Sequence, residues 1–368
     1  MWRRIRRAVS CSVSREVSVV IRARSLVVPG GGGWRRSWGA RAASIWTAPG
    51  PGKIGGPPRW IAARHKSGGA PREPAGGEEA RRVIIDAHTH VFPPDLIERR
   101  AELLRDEPAF REVYADPAAK LATADDVLAV VEAGELDAAV ICNFAWTDLD
   151  RIRETNDYVL DAARRSGGRL IPFCMVQGAG GEAHVRGEME RVALAGARGV
   201  GELRPEQQGY SLAGGRAPSL LAWGSSAYDL QLLIHVTEPV GHRYPGKPGA
   251  PMAAFAEFLN HHPEAQVIGA HWAGGLPLYA LMPEVRDDLD RVHVDTAATG
   301  LLYDDAVFRI VGEVLGYDAI LFASDYPLRD PAAEIARVRG LGLDTEAEAA
   351  ILGGNLQRLL HLEARAGD

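Results

Sequence analysis

From Val83 onward one rhythm repeats: a short apolar, β-branched run, a polar loop, then an amphipathic stretch. The runs are Val83–Ala87, Asp137–Cys142, Arg169–Met175, Ala197–Glu202, Leu230–Val236, Ala265–His271, Arg291–Asp295 and Ala319–Ser324. Their starts lie mostly about thirty residues apart, the length of one strand–helix unit. Helical patterns fall between them, as at Ala124–Glu135, Arg151–Arg165, Glu182–Ala195 and Ala250–His262. Eight such alternations predict a (β/α)8 TIM barrel, a fold of roughly 250 residues. A doubly wound sheet would carry a glycine-rich phosphate turn after its first strand, whereas this chain has His88-Thr89-His90 there. The segment Thr345–Ala364 reads as a closing helix.

The region before Val83 has a different character. Residues 1–75 hold fifteen basic and two acidic residues, and the remainder holds 27 basic and 46 acidic. Glycine and proline tracts such as Pro29–Gly33 and Gly50–Pro58 leave nothing to build a core. Residues 1–81 are therefore expected to be a disordered Arg/Gly/Pro-rich leader or dispensable tail, and residues 82–368 the barrel. An Arg- and Ser-rich leader also fits organelle targeting, but long glycine tracts suit an amphipathic transit helix poorly. The acidic body argues against nucleic acid on the barrel. No apolar run approaches the ~20 residues of a membrane helix. The cysteines, Cys11, Cys142 and Cys174, form no CxxC, and two lie in apolar strands. Reduced thiols and a cytoplasmic location are the expectation.

A barrel carries its active site at the C-terminal ends of its strands. Residues i and i+2 of a strand share a face, so His88 and His90 can aim two imidazoles at one point. Strand two ends in Asn143, strand four in Glu202, strand five in His235, strand six in His271, strand seven in Asp295 and strand eight in Asp325. Any one of these has an ordinary explanation: a satisfied core histidine, or a helix N-cap for Asp325 ahead of Pro327. Four histidines with two or three carboxylates on one rim are costly to desolvate unless a cation joins them. Imidazole and carboxylate suit zinc first, then manganese, iron or cobalt.

Asp86-Ala-His-Thr-His90, Leu233-Ile-His235, Gly269-Ala-His271-Trp-Ala-Gly-Gly-Leu276, Ala323-Ser-Asp325-Tyr-Pro327 and Asn355-Leu-Gln-Arg-Leu-Leu360 together resemble the amidohydrolase superfamily. The likeness is greatest to the amidohydrolase-related branch that includes aminocarboxymuconate-semialdehyde decarboxylase, and it spans residues 83–361. The resemblance implies a metal held by His88, His90, His235 and Asp325. It makes His271 catalytic in a one-metal enzyme and a ligand in a two-metal one. One departure stands out. Two-metal archetypes carry a carboxylated lysine on strand four, where this chain has Glu202. A glutamate there is similar to the superfamily's metal-dependent DNases, in which it bridges two ions; hydrogen bonding to Arg204 is the other option. One or two ions therefore remain open.

The expected activity is that of a metal-dependent hydrolase on a small polar organic acid, amide, ester or lactone. A metal-activated water would attack, Asp325 would move its proton and His271 would stabilise the oxyanion. The first alternative is a non-oxidative decarboxylase on the same site, and the second a catalytically silent metal-binding barrel. Arg204, His242, Arg243, Trp272 and Arg329 follow strand ends and are the candidate substrate contacts. The loop Phe92–Ala119 is long enough to cover the mouth. Partners reduce to a small-molecule substrate and, in an open question, further copies of the chain.

Overall fold

The structure is a computed structural model in which residues 82–363 are described. The expected leader, residues 1–81, lies outside them. Eight parallel strands run β1 Ile85–His90, β2 Ala138–Cys142, β3 Leu170–Cys174, β4 Gly199–Leu203, β5 Gln231–Thr237, β6 Val267–Gly269, β7 Val292–Asp295 and β8 Ile320–Leu321. They pair in sequence order. Closure comes from β8 returning to β1: Ala87 N–H donates to Phe322 O at 2.8 Å, Asp325 N–H to His88 O at 2.9 Å and His90 N–H to Tyr326 O at 2.7 Å. The predicted (β/α)8 barrel is the fold.

Eight outer helices follow the strands: α1 Ala124–Glu132, α2 Leu149–Arg165, α3 Glu182–Leu194, α4 Ala217–Tyr228, α5 Met252–His261, α6 Pro283–Leu289, α7 Ala306–Leu315 and α8 Pro331–Gly340. Their starts follow local chemistry. Thr123 and Asp126 cap α1 reciprocally, and Asp148 and Asp330 accept first-turn N–H groups of α2 and α8. Two apolar layers result. One lies between sheet and helices; the other fills the barrel with Ile85, Val140, Ile171, Phe173, Leu233, Ile268 and Leu321. The closing segment is broken into Thr345–Ala349, a π-helical turn Ala350–Gly354 and Asn355–Leu359 rather than one helix. Its Leu356 and Leu360 join the barrel's inner cluster, and Gly353 is pressed so close to Val83 O that a Cβ would lie 2.4 Å from it.

Alternation along β1 and β4 is interrupted. Ile85 and Ala87 face the barrel interior, so strict alternation would turn His88 outward. A register shift between Asp86 and Thr89 prevents that. On β4, Val200 and Leu203 both pack outward, with a shift between them, and Glu202 is thereby turned in. A side chain at Gly201 is excluded, because its Cβ would sit 2.5 Å from Leu233 O. Among the described residues no helix is long and apolar enough to cross a membrane.

Candidate active site

At the C-terminal ends of the strands lies a cavity of about 570 Å³. His90, Glu202, His235, His271 and Asp325 form its floor, and Tyr114, Phe144, Leu301, Leu302 and Leu328 contribute to its walls. Three short helices of the long loop after β1, Pro94–Glu98, Arg100–Asp106 and Pro108–Tyr114, bring Val113, Tyr114 and Asp116 over one side. They are tied down by Glu107, which is fully buried and accepts from Thr147 and Arg151 at the start of α2.

His88 and His90 converge as their spacing predicts, Nε2 to Nε2 at 3.1 Å. His88 Nδ1 lies 2.8 Å from Asp295 Oδ2, an arrangement that keeps the proton of the neutral ring on Nδ1 and leaves the Nε2 lone pair free to ligate toward the site. Asp325 Oδ1 is 3.4 Å from His90 Nε2 and 3.9 Å from His88 Nε2. Glu202 Oε1 pairs with His235 Nδ1 at 2.7 Å and His271 Nε2 at 2.9 Å, while its other oxygen is 3.7 Å from His90 Nε2. Two ligand-like triads result, His88–His90–Asp325 and His88–Glu202–His271, each with donor atoms within 4.8 Å of one another.

The protonation pattern follows. Burial opposes charge on His88, but Asp295, Glu202 and Asp325 outweigh it and push the ring up to about 9. His271 is likewise raised against burial, chiefly by Glu202, to about 10. His235 goes the other way: burial and the nearby Arg204 charge press it down to about 4. Burial would raise Glu202 and Asp325, yet the surrounding imidazoles hold Glu202 well below the usual carboxylate range and Asp325 at about 2. The floor thus balances its carboxylates with imidazolium groups, and a bound cation would take the place of those protons. His235 Nε2 is buried without a partner among the described residues, and such a nitrogen suits a ligand that is not protein. The donor set fits a divalent metal.

His271 departs from its expected place at a strand end. β6 stops at Gly269, and the chain turns through a left-handed run with φ of 106° at His271, 43° at Trp272 and 48° at Ala273. Non-glycine residues pay about 1–3 kcal/mol each in such sparsely populated conformations, so packing must enforce them. Here Trp272 is fully buried, meets Phe308 edge-on at 4.8 Å and donates from Nε1 to Thr299 Oγ1 at 3.0 Å. Asp325 also has a positive φ of 66°.

The amidohydrolase family profile matches residues 85–362. The chain belongs to the amidohydrolase family. No curated protein sequence matches it. Among solved structures it is similar to the 5-carboxyvanillate decarboxylase of Sphingomonas paucimobilis, with a TM-score of 0.63 and 16% identity over 77% of this chain and 100% of that one. The enzyme of the same description from Novosphingobium aromaticivorans, complexed with manganese and 4-hydroxy-3-methoxy-5-nitrobenzoic acid, gives 0.61 and 18% over 78% and 98%. A Polaromonas dihydroxybenzoic acid decarboxylase with bound manganese and the inhibitor 2-nitroresorcinol gives 0.59 and 14% over 77% and 98%.

For this amidohydrolase-family chain, four of the residues expected to hold metal, His90, Glu202, His235 and Asp325, and the expected catalytic His271 line the floor, and the fully buried fifth, His88, adjoins it through His90. The substrate contacts divide. Arg204 and His242 line the cavity. Three do not. Trp272 lies behind the floor because its indole anchors the left-handed turn. Arg329 is turned away by its ion pair with Glu334 at 2.9 Å. Arg243 projects into solvent from the loop after β5 and is absent from the lining. Asp295 has only its strand-end position to mark it in the sequence; its pairing with His88 arises across the fold.

Proposed function

We propose that the chain is a metal-dependent decarboxylase of a small aromatic carboxylic acid. The observation that carries this reading is the cavity itself, with a charged donor floor beneath walls of Tyr114, Phe144, Leu301 and Leu328. Such walls suit a flat ring whose carboxylate is directed at the floor. Apolar surroundings also favour decarboxylation, since negative charge localised on a carboxylate spreads out as carbon dioxide leaves. The similar folds described above belong to proteins named as decarboxylases, which supports this alternative over the hydrolase expected from sequence.

His88, His90, His235 and Asp325 would hold a divalent ion, with Glu202 adjoining. When bound, it would polarise a substrate oxygen and stabilise negative charge near the reacting carbon. Manganese in two of the similar structures makes it the first ion to test, ahead of zinc. Asp295 fixes the His88 tautomer, and Glu202 orients His235 and His271 through its two hydrogen bonds. Asp325, a carboxylate in the resting site, borders the cavity and would relay the proton: once protonated by solvent it delivers H⁺ to the ring carbon, the C–C electron pair stays on that carbon, and neutral carbon dioxide departs. Solvent then reprotonates the carboxylate. His271, a cation beside Glu202, offsets the charge that develops. Free, buried Cys142 and Cys174 suit the reducing cytoplasm proposed for the enzyme.

The test is turnover of hydroxylated benzoates by manganese-loaded protein in deuterated, oxygen-18 water. The expected outcome is carbon dioxide with one deuterium on the product carbon. Solvent oxygen incorporated into the organic product, without carbon dioxide, would return the protein to the hydrolases.

A further inference from the structure

The most unusual charge in the cavity is Arg204. It borders the cavity yet is only 3% exposed. Its side chain donates from Nη2 alone, to two neutral acceptors, the carbonyls of Gly246 and Pro248 in the loop after β5. Its Nε is buried with no hydrogen-bond partner among the described residues. Arg151, Arg191 and Arg329 are neutralised by Glu107, Glu188 and Glu334, and Arg100 and Arg291, which also rest on carbonyls, are only half-buried. Among the described residues no ion pair serves Arg204.

A guanidinium removed from water without a counter-charge is expensive to keep. Its planar fork matches a carboxylate, and a bound carboxylate would supply the missing charge and acceptors together. Away from the floor, the other basic side chains at the cavity, Lys120 and His242, are solvent-exposed, so water and salt weaken their hold on a ligand.

Which carboxylate Arg204 meets can be argued from the reaction. A cation paired with the departing carboxylate would stabilise the substrate more than the transition state, because that group loses its charge as carbon dioxide forms. A cation paired with a retained carboxylate stabilises both alike and costs nothing in rate. Arg204 also lies past the end of β4, against the covering loop, whereas the metal-type donors lie on the floor. Two anion positions result, one at the floor and one beneath the loop.

We propose that Arg204 is the specificity-determining residue of the cavity and recognises a second carboxylate on the aromatic substrate, retained in the product. This rests on the decarboxylase reading for the class of substrate, but binding tests it without turnover. Calorimetry on the manganese-loaded full chain would compare benzoate, isophthalate and terephthalate. At least one dicarboxylate should bind the wild-type protein about ten-fold or more tightly than benzoate. The preference should fall to about one in Arg204→Met and be partly kept in Arg204→Lys, with folding checked by thermal melting. Equal affinity of the wild type for all three overturns the proposal even if neither variant folds, and so does a preference that survives in Arg204→Met. Preserved discrimination without carbon dioxide release would refute the reaction and leave the anion subsite standing.

Discussion

The floor of the cavity and the loop above it are built by opposite means. On the floor, His88, Glu202, His235 and His271 are buried, and each is held by a second buried side chain or backbone group. The loop at residues 238–249 is held by its own local bonds: Tyr244 to Glu238, Lys247 Nζ to the Val240 and His242 carbonyls, and Thr237 Oγ1 to Lys247 O. Its central residues, from Pro239 to Arg243, lie open to solvent or nearly so. The sheet therefore sets where chemistry happens, and the loop sets what is admitted. Arg204 and Gly249 are where the two regions touch. Gly249 passes so close to the floor that a Cβ would fall 2.1 Å from the His235 ring.

This contrast can be broken most severely on the floor. His235→Ala should abolish metal retention and lower activity by at least about 1,000-fold, as loss of a ligand does; elemental analysis after gel filtration and steady-state assay check it. A strongly active His235→Ala protein would mean the floor is not the reaction centre. Asp295→Asn is the next step down. It keeps the shape but weakens the acceptor that fixes the His88 tautomer, so metal affinity should fall about 10–100-fold, measured by competition with a chelator. Unchanged affinity would show that Asp295 serves the fold alone.

Protons should compete with metal on the same floor. His88, raised to about 9 in the metal-free protein, must lose its proton to bind an ion. Apparent affinity should therefore climb as pH rises from 6 and level off above about 9, by at most about ten-fold per unit for each proton displaced. Titration with manganese across that range is the measurement, and affinity that falls with rising pH would contradict the sign. Trp272→Phe should have a modest effect. It removes the bond to Thr299 at 3.0 Å, which predicts a loss of about 1–2 kcal/mol in stability and a several-fold drop in kcat through a loosened His271 turn. The smallest effect should be Arg243→Ala in the exposed loop, less than about two-fold in kcat/KM; a large loss would show that the loop reaches the substrate beyond the cavity lining.

Much of this molecule was legible before any coordinates. Alternation of apolar runs and amphipathic stretches is local information, because β-branched runs and helical spacing act within a few residues. The barrel followed, and with it the rule that polar residues at strand ends meet. Strand edges moved by one to three residues, and β8 shrank from Ala319–Ser324 to Ile320–Leu321. Trp272 and Arg329 stand outside the cavity lining for a common reason: position after a strand end says nothing about which way a turn sends its residues.

By itself, the sequence determined the fold and the set of groups that crowd its mouth, since both depend on periodicity and on residue type. Only the tertiary structure decided how those groups face. The shifts within β1 and β4 that turn His88 and Glu202 inward are set by the neighbouring strands. The left-handed turn that presents His271 exists because Trp272 is locked against Phe308 and Thr299. Asp295 finds His88 across 207 positions of chain. Arg204 becomes a buried cation only when the loop after β5 closes over it. Each is a long-range packing result, and a residue's own neighbours in sequence carry no record of it.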